Sequence, residues 1–261
     1  MMNMVKVLDR GASLGLLRTN RQISALIAVW VLSMVSLPIQ RWLFGDSILV
    51  FAVSVSVVCQ LVAVLVVVRS VWRLRRTLVM ASGVAVLGWL VEFVGSSTGF
   101  PFGSYHYTEL LQPQIAKVPV LIPLAWLMML PCAWAVTTVL IGKQRSPVLF
   151  AFVTALVFTA WDLFLDPQMV VWGFWVWENP VGYFGIPWVN FLGWILSSFV
   201  ITLLIRPGHL TARPLLLIYG ITWALESIGL AVFWGLPGPA GVGFVVMGSI
   251  VALTVYKLRV A

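Results

Sequence analysis

The sequence predicts an all-α, polytopic transmembrane helical bundle of about eight spans, and three observations carry that prediction. Of 261 residues, 61% are hydrophobic and 9% charged, with a mean hydropathy of +1.05; soluble domains carry about 25% charged residues. Eight apolar stretches lie near residues 23–40, 47–68, 77–96, 118–141, 147–166, 185–205, 213–234 and 239–256. Most are long enough to cross a hydrocarbon core about 30 Å thick at a rise of about 1.5 Å per residue. The basic residues then divide unequally between the two faces. Lys6, Arg10, Arg18, Arg21, Arg69, Arg73, Arg75, Arg76, Lys143, Arg145, Arg206, Arg213, Lys257 and Arg259 share one face, 14 of the 16, and only Arg41 and Lys117 fall on the other. Loops rich in Lys and Arg stay in the cytoplasm, so both termini are expected there, in a cell (inner or plasma) membrane. The net charge of +8 is explained by this orientation, and no nucleic-acid partner is inferred.

Residues 1–22 lack a continuous apolar core and a small-residue cleavage site, so they read as a cytoplasmic, interfacial N-terminal segment and not as a signal peptide. Residues 23–261 read as one transmembrane domain. Spans one and two are generic. Span three carries Glu92, span five Asp162 and Asp166, and span seven Glu226. Spans six to eight are punctuated by Gly or Pro. Cys59 and Cys132 fall within apolar stretches and indicate no disulfide.

Glu92, Asp162 and Glu226 lie 16, 17 and 13 residues beyond Arg76, Arg145 and Arg213, the basic residues that anchor their spans. That places all three about 20–25 Å from the cytoplasmic face. A carboxylate at the centre of a span costs about 2.5–3.5 kcal/mol unless it is paired, protonated or solvated. Three at one depth predict one shared polar pocket. The two longest outer loops, near residues 97–117 and 167–184, are rich in Trp, Tyr, Phe, Gly and Pro. Irregular backbone at membrane depth has to be buried in protein, so these loops are expected to fold back over the carboxylate level. Span three also echoes span seven: Trp89-Leu-Val-Glu92-Phe-Val-Gly95 against Trp223-Ala-Leu-Glu226-Ser-Ile-Gly229. The shared W-x-x-E-x-x-G puts acid and glycine on one helical face and suggests a repeated hairpin.

The residue inventory narrows the chemistry. His106 and His209 are the only histidines and belong to no ligand cluster, so no metal site is inferred. No nucleotide-binding glycine loop is present, and no lysine lies within a span. Carboxylates, Asn190, tyrosines and indoles around an apolar interior suit acid–base chemistry on a hydrocarbon dissolved in membrane lipid. Asp162 and Asp166 stand one helical turn apart, so one of the pair is expected to keep its proton. A protonated acid facing a trisubstituted alkene generates a tertiary carbocation. Aromatic faces stabilise such a cation by about 0.5–2 kcal/mol each, and an ionised Glu92 or Glu226 would add to this and position a water.

These residues resemble the integral-membrane carotenoid 1,2-hydratase family. The likeness runs through Glu92-Phe-Val-Gly95, Thr98-Gly-Phe-Pro-Phe-Gly-Ser-Tyr105-His-Tyr107-Thr108 and Val118-Pro-Val-Leu-Ile-Pro123-Leu-Ala-Trp126. It continues in Asp162-Leu-Phe-Leu-Asp166-Pro167, Trp175-Val-Trp177 and Gly182-Tyr183-Phe-Gly-Ile-Pro187-Trp-Val-Asn190-Phe-Leu-Gly193-Trp194, over roughly residues 88–230. The resemblance implies addition of water to the terminal C1=C2 bond of an acyclic carotenoid of the lycopene, gamma-carotene or bisanhydrobacterioruberin type, with no cofactor. On that implication Asp162, with Asp166 behind it, donates the proton. Glu92 or Glu226 holds the water and Asn190 orients it, while Tyr105, Tyr107, Trp126, Trp177, Tyr183 and Trp194 wall the substrate. Glu92 and Asp162 remain interchangeable in role. Three alternatives stand beside it: a membrane-embedded lycopene cyclase sharing the protonation step, a prenyltransferase using Asp162 and Asp166 for magnesium diphosphate, and a non-enzymatic carotenoid-binding or transport protein.

Overall fold

A computed structural model describes residues 2–142, 146–207, 210 and 212–260, with the backbone course alone over residues 2–19. Lys143, Arg145 and His209 lie outside the described residues, as do the side chains of Lys6, Arg10 and Arg18. Eight helices follow one another: α1 (Met2–Phe44), α2 (Leu49–Val71), α3 (Leu74–Thr98), α4 (Leu121–Ile141), α5 (Pro147–Val171), α6 (Trp188–Ile205), α7 (Arg213–Ile228) and α8 (Pro237–Val260). All eight are long and apolar enough to cross a membrane, α1 over Asn20–Phe44 and α7 over Arg213–Phe233 through a π-helical turn at Gly229–Phe233. Helices satisfy their own backbone in lipid, which is why runs of Val, Leu and Ile adopt this form. Helix α1 runs continuously from Met2 through the segment expected at residues 1–22.

The helix ends follow local chemistry. Ser146 caps α5 by accepting the Leu149 N–H at 3.1 Å, and Pro147 occupies the first turn. Gly99 ends α3 with φ +77, the left-handed conformation that glycine adopts without penalty. At the basic end, the Arg76 guanidinium lies 4.1 Å from the Trp72 ring centroid and donates to the Pro207 carbonyl.

Helix α4 is the centre of the bundle: 72% of its most apolar window is buried, more than in any other span, and it touches α2, α3, α5, α7 and α8. Polar ties between helices join the apolar packing. Trp134 donates to Thr202 at 3.0 Å, Thr154 to Thr137 at 3.1 Å, and Tyr219 to the Val157 carbonyl at 2.8 Å.

Two features differ from the expectation. Helix α5 does not stop at Asp166 but continues through Pro167 to Val171. Proline lacks the N–H that would bond the carbonyl four residues back, and here the Tyr183 hydroxyl donates to that freed Leu163 carbonyl at 3.0 Å. The outer loops also contain short antiparallel ladders. Strand β1 (Tyr105–Tyr107) pairs with β4 (Trp175–Trp177), and β2 (Gln114–Ile115) with β3 (Val118–Pro119).

Candidate functional site

The β1–β4 ladder is what brings the outer loops over the carboxylates. Strand side chains alternate between faces, and Tyr105 stands opposite Trp177 and Tyr107 opposite Trp175, so all four rings share one face while His106 and Val176 point away and are exposed. Tyr105 and Tyr107 both donate to Oε2 of Glu92 at 2.6 Å, and the Trp126 indole donates to Oε1 at 3.0 Å. Burial, and then the Glu92 charge, push both phenols well above their usual range, so they serve as donors. Gly95 makes room for this arrangement: a Cβ there would stand 2.5 Å from the Phe102 ring.

The aspartates form a second knot. Asn190, in the first turn of α6, donates to Oδ2 of Asp162 at 3.1 Å and to Oδ2 of Asp166. Trp175 donates to Oδ1 of Asp166 at 3.1 Å, while Oδ1 of Asp162 is buried with no partner. Beneath them Trp126 stacks on Trp194 at 4.9 Å between centroids, and Phe158 and Trp161 pack against the same ring.

One cavity of about 430 Å³ joins these groups. Its lining includes Glu92, Asp166, Asn190 and Glu226 with Tyr105, Tyr107, Trp126, Trp177 and Trp194. The expected meeting of acids from spans three, five and seven therefore occurs, but with Asp166 in place of Asp162 at the wall. Asp162 is 0% exposed and sits behind Asp166, the reverse of the expected order. Tyr183 is not in the lining either, because its hydroxyl is turned to the Leu163 carbonyl of α5. Glu226 shares the cavity yet makes no hydrogen bond with the Glu92–aspartate network. Trp175 was not singled out as a site residue, although the alternation Trp-Val-Trp was the available signal. Among the described residues no Lys or Arg lines the cavity, so none of them offers a diphosphate its cation there.

The cavity is not fully enclosed. Of its lining residues, Val35, Ile39, Ile228 and Phe233 are the exposed ones, at 47%, 53%, 54% and 51%. All four belong to α1 or to α7 and its π turn, so the cavity opens sideways between these helices.

The span-three and span-seven echo has structural content. Trp89 donates to the Ile115 carbonyl at 3.2 Å and Trp223 to the Phe244 carbonyl at 3.0 Å, each tying its helix to the segment that follows. Glu92 and Glu226 enter the cavity, and Gly95 and Gly229 take Phe102 and Trp234 against the helix.

The fold and site define an all-helical protein with eight candidate membrane spans around an apolar cavity with an acidic end. A family model described as carotenoid biosynthesis protein matches residues 49–250. The chain belongs to the carotenoid biosynthesis protein family. It is also 33% identical over 120 residues to a protein of Haloarcula japonica named bisanhydrobacterioruberin hydratase, a match covering 45% of this chain and 41% of the relative. The chain thus matches less than half the length of that relative. No solved structure matches it.

Proposed function

We propose that the protein adds water to the terminal C1=C2 bond of an acyclic carotenoid, acting as a hydro-lyase without a cofactor. The observation that carries this reading is the position of the acids. A cavity that opens sideways between α1 and α7 ends in a carboxyl pair, Asp162 and Asp166, joined through Asn190 and set beside Glu92. A volume of about 430 Å³ suits a drug-sized molecule, hence one end of a long polyene, with the remainder leaving through the side mouth. The relative named a hydratase supports the same reading.

In the proposed reaction Asp166 is the acid at the cavity wall. Asp162 and Asp166 share a proton, and Asp166 delivers it to C2, leaving a tertiary cation at C1. Glu92 is the counter-anion: the three donors around it fit a carboxylate acceptor and hold it rigidly. The faces of Trp126, Trp177 and Trp194 give the cation aromatic surroundings. Water adds to C1, loses a proton, and leaves a tertiary alcohol.

Expression in cells that accumulate lycopene or a related acyclic carotenoid, followed by pigment mass analysis, tests this. The expected product is heavier by one water, with its oxygen drawn from isotope-labelled water. An isomer of unchanged mass would assign the protein to cyclisation, and unaltered pigment would remove the catalytic reading.

A further inference from the structure

Glu226 stands apart from the carboxyl network, and what surrounds it is a second polar patch on the same cavity wall. Ser56 and Gln60 on α2 and Thr222 and Glu226 on α7 all line the cavity, and all are buried. Each pair is spaced by four residues and so shares a helical face. The two helices touch directly and run antiparallel. Their ends lie level, since Leu49 and Trp234 border one crevice. Counting inward at about 1.5 Å per residue, Ser56 and Glu226 lie about 10–12 Å in, and Gln60 and Thr222 about 16–18 Å in. The four therefore stand at matching depths on one cavity wall.

The Thr222 hydroxyl donates to the Ile218 carbonyl at 2.9 Å and keeps only acceptor capacity, whereas the other three have more to offer. Ser56 is 3% exposed and its hydroxyl has no partner. Other helix serines behave differently: Ser54, Ser96 and Ser198 each donate to the carbonyl one turn back. The Gln60 amide donates only to the Met129 sulfur, at 3.1 Å, a weak acceptor. Among the described residues the Glu226 carboxyl receives no hydrogen bond, although it is only 8% exposed. Unpaired polar groups this deep cost about 1–3 kcal/mol each, unless a small ligand satisfies them. A water offers two donors and two acceptors and would engage the serine hydroxyl, the glutamine amide and the carboxylate together.

We propose that Ser56, Gln60, Thr222 and Glu226 form the binding site for the water that becomes the product hydroxyl. This rests on the hydration reading and completes it: the proton arrives from the Asp166 network and the nucleophile from the α2–α7 wall. The balance closes. Asp166 loses a proton to C2, a water oxygen bonds to C1, and the proton that oxygen sheds passes to the Glu226 carboxylate. Exchange of both carboxyls with solvent restores the starting state.

Membranes bearing the full chain, supplied with an acyclic carotenoid in deuterated water, separate the two halves of the site. A cation not captured by water returns to an alkene, and where it sheds the original C2 hydrogen or a hydrogen of a C1 methyl group the alkene keeps the delivered deuterium, so label in recovered carotenoid reports the acid, while alcohol reports water capture. In Glu226→Gln and in the paired Ser56→Ala, Gln60→Met variant, alcohol is expected to fall about tenfold or more, the loss of one or two hydrogen bonds to the nucleophile. Deuterium in recovered carotenoid should persist within about twofold of wild type on the same basis. Variants that keep full alcohol formation overturn the water site. So do variants, present at normal abundance, that lose label and alcohol together. Wild-type membranes yielding neither product overturn the hydration reading itself.

Discussion

Replacing Glu92 by glutamine preserves the side chain's shape and removes its charge. The structure allows the consequence to be sized. The carboxylate is held by Tyr105, Tyr107 and Trp126, so it cannot swing toward a forming cation and its contribution is that of a fixed charge. For a cation about 6 Å away at an effective dielectric of about 20, the attraction is about 3 kcal/mol. Loss of that term lowers the hydration rate about 100-fold. Tyr107→Phe removes one of the three donors but leaves the charge, so its rate should fall no more than about tenfold. The assay is alcohol formed per unit time in membranes of matched protein abundance, measured by pigment mass. A Glu92→Gln rate within about threefold of wild type would refute the assignment of Glu92 as counter-anion. A Tyr107→Phe loss as deep as that of Glu92→Gln would show that position, and not charge, is what Glu92 supplies.

Asp166→Asn should depress hydration roughly 10³-fold, as expected for a general acid, and Asp162→Asn by less, since Asp162 lies behind the cavity wall; the opposite ranking in the same assay reverses the proton donor. Tyr183→Phe leaves the Leu163 carbonyl without its donor, so thermal unfolding should register a loss of about 0.5–1.5 kcal/mol while hydration is retained. Unfolded phenols ionise near pH 10, whereas burial and the Glu92 charge hold those of Tyr105 and Tyr107 protonated beyond it. Their contribution to stability is therefore complete below about pH 10 and is lost as pH rises further. Unfolding temperatures should stay level up to about pH 10 and decline above it, less steeply in a Tyr105→Phe, Tyr107→Phe variant; equal declines would remove the link.

The spans were legible because a membrane core demands long apolar runs and basic ends, and both are written plainly along the chain. Glu92, Asp166, Asn190 and Glu226 line one cavity, and they stood out in the sequence because polar groups are rare in such spans, Glu92 and Glu226 also by their similar depth. Other features depend on partners distant in sequence. Pro167 reads locally as a stop, and the Leu163 carbonyl that it leaves free is satisfied by the Tyr183 hydroxyl, 20 residues beyond that carbonyl in number. Asp162 and Asp166 share a helical face, so periodicity could not say which turn meets the cavity; Asn190 bonds both, and the Trp175 indole reaches Asp166 alone. Ser56 and Gln60 sit in a run of valines, where two small polar interruptions carry no signal until α7 is brought alongside.

The sideways mouth between α1 and α7 changes what substrate supply means for this protein. On the proposed reading, a substrate arriving there comes from the bilayer, diffuses in two dimensions and crosses no aqueous phase. Saturation would then follow the ratio of pigment to phospholipid and not any amount per litre. Thinning the pigment with added phospholipid would slow turnover, while diluting the whole suspension in buffer would leave it nearly unchanged.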